Sequence, residues 1–299
     1  MAIPNFLIDK LTSQYGEELT KKILEGYSKK RKVTLRVNTI KSNIDEIKNV
    51  LNQNNIEYRN VTWSKEALII EQAREQEIKK LKIYEEGKIY LQSLSSMLPP
   101  IILEPKENED ILDMAAAPGG KTTQMAAMLN NNARITACEM NIVRAEKLKY
   151  NIEKQGASSV YVMVTDSRKV DDLFAFDRIL LDAPCSGSGT LYSEDTRIEK
   201  TFTPKLIQKT VKAQTQLLRK AINILKPGKE MIYSTCSILQ EENEDIVNNI
   251  INSGKMEIIP IKIDRTIPTL PTKIKGTLCV CPNEEYEGFF VAKLKKLYK

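Results

Sequence analysis

The sequence predicts an α/β protein with a doubly wound, mostly parallel sheet, preceded by a small α+β unit. From residue 110 onward, short apolar segments alternate with longer amphipathic ones, which is the pattern of strand-helix-strand units. Residues 1–92 combine shorter strands and helices without that regular alternation. A double proline, Pro99-Pro100, follows, and we expect it to interrupt regular structure. The chain is therefore predicted to contain a subdomain over residues 1–92 and a larger domain over residues 93–299.

The N-terminal subdomain is predicted from short periodic segments. Two helices are expected between residues 5 and 27, the first ending near Gly16 and the second near Gly26, because glycine commonly ends a helix. The other predicted elements are strands over 33–37, 56–61, 67–70 and 88–91 and helices over 44–51 and 75–81.

In the larger domain, predicted strands alternate with turns and helices. Their apolar runs suit parallel strands that are covered on both faces. Ligands of such sheets bind beyond the carboxyl ends of the strands, so candidate site residues are expected there. The predicted strands lie at 110–112, 135–138, 160–164, 179–181, 231–233, 256–259 and 289–293, and the helices at 120–129, 142–154, 204–225 and 241–251.

Composition indicates an ordinary globular protein. With 299 residues, 41% of them hydrophobic, the chain can bury a sizeable core. No apolar run approaches the length of a membrane span, and residues 1–10 lack the apolar core of a signal peptide. We therefore expect a cytoplasmic, monomeric protein that binds no membrane and no metal.

The chain has no histidine and five cysteines. The absence of histidine excludes Ser-His-Asp hydrolysis, Cys-His proteolysis and metal sites that contain histidine. An odd number of widely spaced cysteines does not suit a secreted disulfide framework, so we expect reduced thiols. Those thiols are then available for catalysis.

The formal net charge is +6, and residues 1–92 hold most of the excess. This favours a polyanionic partner, although lysine-rich surfaces commonly serve solubility alone. The densest basic segment, residues 28–32, is either a solvated turn or a contact for phosphates.

Two cysteines follow predicted strands. In RILLDAPCSG, residues 178–187, an apolar strand breaks into Asp182 and then Cys185, and in MIYSTCS, residues 231–237, a second strand ends at Cys236. Neighbouring strands lie about 4.8 Å apart, so adjacent placement would open both loops into one crevice. Either cysteine alone would more often be a small buried hydrophobe. Together with their flanking motifs, they predict a site with two thiols.

The loop after the first strand of the larger domain, DMAAAPGGK at residues 113–121, consists of small residues and opens onto a helix. It lacks the G-x-G-x-x-G spacing of a dinucleotide site and the G-x-x-x-x-G-K spacing of a phosphate loop. Glu139, Asp166 and Asp182 stand at the ends of predicted strands, where an acid commonly binds ribose hydroxyls. The loop and the three acids predict a nucleoside ligand, such as the nucleoside of S-adenosylmethionine.

The motifs APGGKT, DAPCSG and YSTCS in this order, with EENE just after the last, resemble the Sun/Nop family of RNA cytosine-C5 methyltransferases. The resemblance spans residues 88–294 and implies a Rossmann-like methyltransferase fold, S-adenosyl-L-methionine as cofactor and RNA as partner, with the N-terminal subdomain contributing to RNA binding. Two departures are visible: Ala115 stands where the family usually has cysteine, and LCVCP at residues 278–282 replaces a segment that often holds a histidine.

The resemblance also implies roles for individual residues. Cys236 is expected to be the nucleophile that adds to carbon 6 of the cytosine, and Cys185 to help eliminate the enzyme after methyl transfer. Asp182 is expected to hold the nitrogen edge of the base as well as to contact the cofactor. The cofactor contacts that the resemblance implies are Ala115, Ala116, Ala117, Pro118, Gly119, Gly120, Lys121, Glu139, Arg144, Asp166 and Asp182.

Addition of a thiolate explains why a cysteine is needed, because carbon 5 of cytosine is a poor nucleophile until carbon 6 has been attacked. A free cysteine has a pKa of about 8.5, so a positive neighbour would increase the thiolate fraction at neutral pH. Lys121 is the candidate for that neighbour and is predicted to be catalytic. Cys138 is expected to belong to the core, and Cys279-x-Cys281 to be structural, because zinc would need further ligands.

The sequence therefore predicts an RNA 5-methylcytosine methyltransferase that acts on an unpaired or extruded cytosine. Ribosomal RNA and transfer RNA are both open as substrates. The alternative from another class is a non-catalytic RNA-binding assembly factor that retains the methyltransferase fold, and the presence of both cysteines and all three acids speaks against it. Methylation of a protein or a small molecule would leave the two thiols unexplained.

Overall fold

The computed structural model describes residues 3–298, which divide into two compact units. The first unit combines the N-terminal residues up to Arg31 with the residues from Leu181 onward, and the second unit is Lys32–Leu180. The domain boundary predicted between residues 92 and 93 stays a prediction. Within residues 3–298, none of the helices has both the length and the apolarity that crossing a bilayer requires.

The elements predicted from the sequence have counterparts in the structure. Five elements were not predicted: Lys82–Glu85, Leu94–Leu103, Ile198–Thr201, Thr269–Leu270 and Leu278–Val280. The helices are α1 Asn5–Ser28, α2 Ile44–Gln53, α3 Glu75–Lys79, α4 Lys82–Glu85, α5 Leu94–Leu103, α6 Gly120–Met128, α7 Ile142–Gln155, α8 Ile198–Thr201, α9 Pro204–Ile224 and α10 Glu244–Ile251. The strands are β1 Val33–Val37, β2 Tyr58–Val61, β3 Ser64–Ile70, β4 Ile89–Leu91, β5 Asp110–Asp113, β6 Arg134–Cys138, β7 Val160–Met163, β8 Phe176–Asp182, β9 Leu225–Thr235, β10 Met256–Ile258, β11 Thr269–Leu270, β12 Leu278–Val280 and β13 Phe289–Lys296.

The α+β part of the second unit is an antiparallel sheet of strand order β2-β3-β1-β4. Leu35 in β1 pairs with Leu68 of β3 on one side and Leu91 of β4 on the other. Ile47 and Leu51, one helical turn apart on α2, belong to the same core cluster and are fully buried. This confirms the predicted α+β unit.

The break expected at Pro99-Pro100 is wrong, because both prolines lie inside α5. A proline within a helix cannot donate to the carbonyl group one turn earlier, which normally disfavours it there. In α5 a side chain outside the helix compensates: Gln92 Nε2 donates to the Ser96 carbonyl oxygen at 3.1 Å, the acceptor that Pro100 cannot reach. Both prolines are also buried, so packing outweighs the local preference.

The remaining strands of the second unit form a parallel sheet of strand order β8-β5-β6-β7. α6 connects β5 to β6, and α7 connects β6 to β7, as the strand-turn-helix pattern predicts. Parallel pairing brings the carboxyl ends of these strands to one edge of the sheet. The loops that carry the predicted cofactor contacts therefore start from a common edge.

The first unit continues from the end of β8 into a sheet of strand order β11-β12-β13-β9-β8, with β10 paired to β13. β13 runs antiparallel to β9, and Phe290 pairs with Thr235 near the end that leads to Cys236. β9 is longer than predicted, because it begins at Leu225 directly after α9.

α1 also belongs to the first unit and differs from the prediction at one end. Its backbone kinks at Gly16, where φ is 80°, so the predicted break is confirmed. The second half continues past Gly26 to Ser28. Glycine is needed at position 26 because an added Cβ atom would lie 2.1 Å from the Pro282 carbonyl oxygen, so this glycine allows close packing and does not end the helix.

Candidate active site

The two predicted catalytic thiols lie in contact. Cys185 Sγ is 3.0 Å from Cys236 Sγ, and both side chains are free thiols. The strand ends that carry them are joined by a hydrogen bond from the Ala183 amide to the Ser234 carbonyl oxygen at 2.8 Å. Both cysteines are partly exposed. The structure thus brings together the two thiols that the strand ends predict as a pair.

The two sulfur atoms are not in equivalent surroundings. The pKa of the Cys185 thiol is raised well above its usual value, chiefly by the hydrogen bond with Cys236 and then by burial, with a smaller contribution from the charge of Glu242. A thiol with a raised pKa keeps its proton at neutral pH and is a weak nucleophile. Cys185 is therefore suited to hold a proton beside the sulfur of Cys236.

Asp182 ends β8, three residues before Cys185. Ser234 Oγ, on the neighbouring strand, donates to Asp182 Oδ1 at 2.8 Å. The carboxylate is partly exposed, and the hydrogen bond fixes it at the strand ends from which the cysteine loops start. Its predicted roles toward the base and the cofactor stay predictions.

In the second unit, Asp113 binds both ends of the small-residue loop between β5 and α6. This carboxylate is buried, accepts from Thr122 Oγ1 at 2.7 Å and lies 3.4 Å from the Ala115 amide that points at it. Gly119 has a φ of 108°, the left-handed conformation that favours glycine, and α6 begins after it without a side-chain cap. The amide groups of the first turn of α6 have no acceptor within their own helix.

The backbone of this loop is held mainly through its carbonyl groups. Side chains from α7 and from the turn after β7 donate to three carbonyl oxygens of the loop, and one loop amide donates to the carbonyl group at the end of β6. The loop is therefore held in one conformation by protein groups. The contacts are Arg144 Nη2 to Ala117 O at 2.8 Å, Asn151 Nδ2 to Pro118 O at 2.7 Å, Ser167 Oγ to Met114 O, and Ala116 N to Cys138 O at 2.9 Å.

Glu139 and Asp166 follow the neighbouring strands β6 and β7. Glu139 is only 3% exposed, accepts from the Asn141 amide at 2.8 Å and pairs with Arg144 Nη1 at 3.3 Å. Asp166 pairs with Arg168 Nη2 at 2.6 Å, and hydrogen bonds from Arg168 lower the pKa of this carboxyl group. Both acids are thus oriented by protein donors, and a carboxylate has further lone pairs for ribose hydroxyls.

Arg144 and Lys121 have partners within the second unit. Arg144 bridges Glu139 and the Ala117 carbonyl group, so it acts on the loop and on the acid at once. Lys121 Nζ donates to Ser96 Oγ at 2.8 Å. The direct cofactor contacts of Arg144 and Lys121, and the catalytic role of Lys121, stay predictions.

The polar groups of this part of the second unit fit S-adenosylmethionine. The cofactor presents a ribose diol, for which Glu139 and Asp166 supply acceptors, and a carboxylate, for which an uncapped helix start supplies amide donors. The alanines of the loop leave room for a ligand close to the backbone. The residues at positions 115–121 therefore suit the predicted cofactor, and alanine at position 115 keeps the loop small.

The basic segment at residues 28–32 divides into two pairs. Lys29 and Lys30 are exposed. The Arg31 guanidinium group donates to the Gly189 carbonyl oxygen at 3.3 Å, and Lys32 forms an ion pair with Glu71. Lys29 and Lys30 are therefore the members best suited to contact phosphates.

The other three cysteines are buried. Cys138 ends β6, and burial raises the pKa of its thiol to about 11. Cys279 Sγ lies 3.7 Å from the Tyr15 hydroxyl group, and Cys281 is its buried neighbour after β12. Within residues 3–298, no group of three or more His, Cys, Asp or Glu side chains could hold a metal ion.

Sequence reasoning missed four side chains, of which two hold the small-residue loop of the second unit and two hold the cysteine loops of the first unit. Asp113 was noted only as the first residue of the loop, and Ser167 carried no signal. Glu242 and Asn243 fall in the EENE segment, which was noted for resemblance without a role. The signal for these two was their short distance after Cys236 in the sequence.

Two family models match the chain. The model described as 16S rRNA methyltransferase RsmB/F matches residues 100–295, and the model described as the RsmF/B-like ferredoxin-like domain matches residues 3–77. Together they match most of the chain, including all four strands of the antiparallel sheet except β4 and nearly all of the residues from β5 onward.

Curated relatives agree with these models. The chain is 32% identical to the tRNA (cytosine(49)-C(5))-methyltransferase of Pyrococcus abyssi, over 94% of this chain and 99% of the relative. It is 32% identical to the mouse 28S rRNA (cytosine-C(5))-methyltransferase, over 98% of this chain but 38% of the relative. It is 33% identical to ribosomal RNA small subunit methyltransferase F of Shewanella loihica, over 88% of this chain and 56% of the relative. The chain thus spans nearly all of the archaeal relative and only part of the other two.

Solved structures show the same fold. The crystal structure of NSun6 from Pyrococcus horikoshii with SFG superposes with a TM-score of 0.88 at 25% identity, covering 100% of this chain and 99% of that one. A methyltransferase homologue from Pyrococcus horikoshii superposes with a TM-score of 0.83 at 31% identity, covering 99% and 100%. The fold of both units is therefore a known arrangement.

Proposed function

Because the chain belongs to the RsmB/F family of S-adenosylmethionine-dependent RNA methyltransferases, we propose that it transfers a methyl group to carbon 5 of a cytosine in rRNA or tRNA through a covalent cysteine adduct at carbon 6. The observation that carries this proposal is the contact between two free thiols, Cys185 and Cys236, at neighbouring strand ends. A binding protein without turnover would need neither thiol.

Cys236 is the proposed nucleophile. Its thiolate forms a bond with carbon 6, and the electron pair of the carbon 5–carbon 6 double bond becomes available at carbon 5. S-adenosylmethionine, when bound, supplies the electrophilic methyl group. The raised pKa of Cys185 supports this division of roles, because the thiol that keeps its proton is the poorer nucleophile.

Cys185 is proposed to act in the second half of the reaction. After methylation, carbon 5 carries both a methyl group and a proton. The Cys185 thiol gives its proton to the sulfur of Cys236 as the carbon–sulfur bond breaks. The Cys185 thiolate so formed accepts the proton of carbon 5, and the electron pair of the broken carbon–hydrogen bond restores the carbon 5–carbon 6 double bond. A side chain 3.0 Å from Cys236 Sγ is close enough to assist the departure of that sulfur.

Asp182 is proposed to hold the nitrogen edge of the base. Addition at carbon 6 shifts electron density toward the ring nitrogen, so a group that shares a proton there stabilises the adduct. The hydrogen bond from Ser234 keeps the Asp182 carboxylate in one orientation. Lys121 remains the proposed positive neighbour of the thiolate.

The proposed cofactor contacts are the backbone of residues 115–121 with Glu139 and Asp166. Asp113 and Ser167 hold the loop in place, and Arg144 orients Glu139. These residues are proposed to bind and orient the cofactor, and they exchange no proton with the cytosine.

The experiment that tests the mechanism compares two cysteine variants. Cys236→Ala is expected to abolish both methylation and the covalent RNA adduct, because carbon 5 is then never activated. Cys185→Ala is expected to complete addition and methyl transfer while elimination stalls, so RNA accumulates on Cys236 as a slow-migrating band on a denaturing gel. The double variant should show no band. If Cys236→Ala traps RNA instead, the roles are reversed, and if both variants methylate without a trapped species, the thiol mechanism is wrong.

The RNA itself can be identified by bisulfite sequencing of RNA from cells with and without the gene. Loss of one protected cytosine in rRNA or in tRNA would name both the class and the position. An unchanged methylation pattern, together with a purified protein that methylates neither rRNA nor tRNA, would instead favour the assembly factor.

A further inference from the structure

Glu242 is a buried carboxylate that holds the loop carrying Cys185. It is completely inaccessible and accepts from both the amide and the hydroxyl group of Ser186, at 2.8 and 2.6 Å. Thr210 Oγ1 donates to the same carboxylate at 2.6 Å. Gln214 Nε2 lies 3.3 Å from Glu242 Oε1 and 3.0 Å from the Pro184 carbonyl oxygen. The residues on both sides of Cys185 are thus tied to this one side chain and its supports.

Asn243, the next residue, makes the corresponding contacts to the loop carrying Cys236. Its Oδ1 atom accepts from Thr235 Oγ1 at 2.6 Å, and its Nδ2 atom donates to the Ser237 carbonyl oxygen at 2.9 Å. Asn243 is also completely buried. The residues before and after Cys236 are therefore both hydrogen-bonded to the same amide side chain.

We propose that Glu242 and Asn243 are positioning residues that together set the contact between the two thiols, Glu242 by fixing the Cys185 loop and Asn243 by fixing the Cys236 loop. The two residues are adjacent in sequence, so one peptide unit sets the distance between their Cα atoms. The Tyr233 hydroxyl group donates to the Glu242 carbonyl oxygen at 2.6 Å, which anchors the pair to β9. The assignment of roles to the two loops rests on the proposed function, whereas the positioning itself does not.

Glu242 and Asn243 bind the residues that flank the two cysteines, so their effect on the position of the sulfur atoms is transmitted through those residues. Loss of Glu242 should therefore disturb the step that needs Cys185, and loss of Asn243 the step that needs Cys236. A residue that only stabilised the fold would affect both steps alike.

The first measurement needs no RNA and no cofactor. Diamide oxidises two thiols to a disulfide and takes up the two electrons and two protons, and its rate depends on how closely the sulfur atoms are held. Disulfide formation between Cys185 and Cys236 is followed by mass spectrometry. Glu242→Ala and Asn243→Ala are each expected to slow it by about tenfold or more, because charge-assisted and buried hydrogen bonds are lost.

Two further variants separate positioning from loss of fold. Glu242→Gln keeps one oxygen for the Ser186 amide, and the Ser186 hydroxyl group can reverse to accept from the new amide. Because the lost charge also lowers the pKa of Cys185, oxidation should be at least as fast as in the wild type. Glu241→Gln changes the preceding acid, whose carboxylate pairs with Lys10, and should leave the rate unchanged. Equal rates in the wild type and both alanine variants would overturn the proposal, as would an equal slowing in Glu241→Gln.

The second measurement places each change in the Cys185→Ala background, with RNA from cells lacking the gene and with S-adenosylmethionine. Adding Asn243→Ala should slow formation of the trapped adduct, because Cys236 is no longer held. Adding Glu242→Ala should change it little, because the cysteine that Glu242 positions is already gone, and such non-additivity identifies residues that act as a unit. Equal slowing in the two combinations would contradict the assignment to separate loops. If no adduct forms in Cys185→Ala at all, the proposed function fails while the oxidation rates still decide the positioning.

Discussion

Cys185 Sγ lies 3.0 Å from Cys236 Sγ, and the hydrogen bond between them is the main reason why the pKa of Cys185 is raised. Two thiols in contact are thereby made unequal. A thiol with a raised pKa holds its proton at neutral pH, which supports the proposal that Cys236 and not Cys185 is the nucleophile. This difference can be measured directly.

Alkylation of Cys185 by iodoacetamide is expected to be slow at pH 8 and to rise only well above pH 8.5, the ordinary thiol value. In Cys236→Ala the largest cause of the shift is removed, so the profile should move toward lower pH, although burial still acts on it. Peptide mass spectrometry across pH 7–10 reports the fraction alkylated. An identical profile in both proteins would show that Cys236 does not control Cys185.

The same shift predicts how stability depends on pH. At pH values below about 8.5, Cys185 is protonated in both the folded and the unfolded chain, so its titration does not change the free energy of unfolding there. As pH rises above that value, the unfolded chain loses the proton first, so the free energy of unfolding falls by up to about 1.4 kcal/mol per pH unit for this group. Thermal unfolding between pH 7.5 and 9.5 should therefore lose less stability in Cys185→Ala than in the wild type. An equal loss would mean that this thiol is not shifted.

Glu139→Ala is expected to weaken binding of S-adenosylmethionine by about tenfold to a hundredfold, because it removes the buried carboxylate that is proposed to accept from the ribose hydroxyl groups. Calorimetry on the purified protein measures the affinity. The matched control is Glu146→Ala, which removes an exposed acid of α7 that pairs with Lys149. Unchanged affinity in Glu139→Ala would remove this acid from the cofactor site.

Glu139 is a better test than Gly119. Any side chain at position 119 would have to adopt a φ of 108° and would place its Cβ atom 3.0 Å from Leu148 Cδ1. A loss of binding in Gly119→Asp would therefore report on backbone strain as much as on the cofactor.

Lys29→Gln combined with Lys30→Gln should flatten the salt dependence of RNA binding. For single-stranded RNA the logarithmic slope changes by about 0.7 per phosphate contact, so two lost contacts should reduce it by about 1.4. Filter binding or fluorescence anisotropy over a series of salt concentrations gives the slope. Lys147→Gln combined with Lys149→Gln removes the same charge from exposed positions of α7. If both pairs change the slope equally, net charge and not the basic segment is responsible.

Gln92→Ala is expected to lower the free energy of unfolding by about 2–4 kcal/mol, because several buried polar groups lose their partner at once. Gln92 accepts from Arg36 Nε at 3.0 Å and donates to Gln124 Oε1 at 2.9 Å as well as to the Ser96 carbonyl oxygen within α5. Thermal unfolding measures the loss. Gln72→Ala, at an exposed position, is the control and should cost little. A small effect at position 92 would mean that α5 does not depend on this side chain.

Much of the fold follows from local pattern. The strand-turn-helix order from β5 to β8, the α+β sheet before it and the break at Gly16 were all predicted, because period and turn residues are properties of short segments. Pro99-Pro100 shows where such reasoning fails. The helix there depends on Gln92 supplying a donor from outside the helix and on burial of both prolines, and neither is visible in the local sequence.

By itself, the sequence determined the candidate site residues: two cysteines after apolar strands, a loop of small residues and acids at strand ends, because motif and spacing can be read along the chain. The tertiary structure decided how those residues are held. The 3.0 Å contact of Cys185 with Cys236 and the raised pKa that follows from it join residues 51 positions apart, and the hydrogen bonds of Glu242 to Ser186 join residues 56 positions apart. Distances and desolvation depend on packing between such residues, so only the folded chain fixes them.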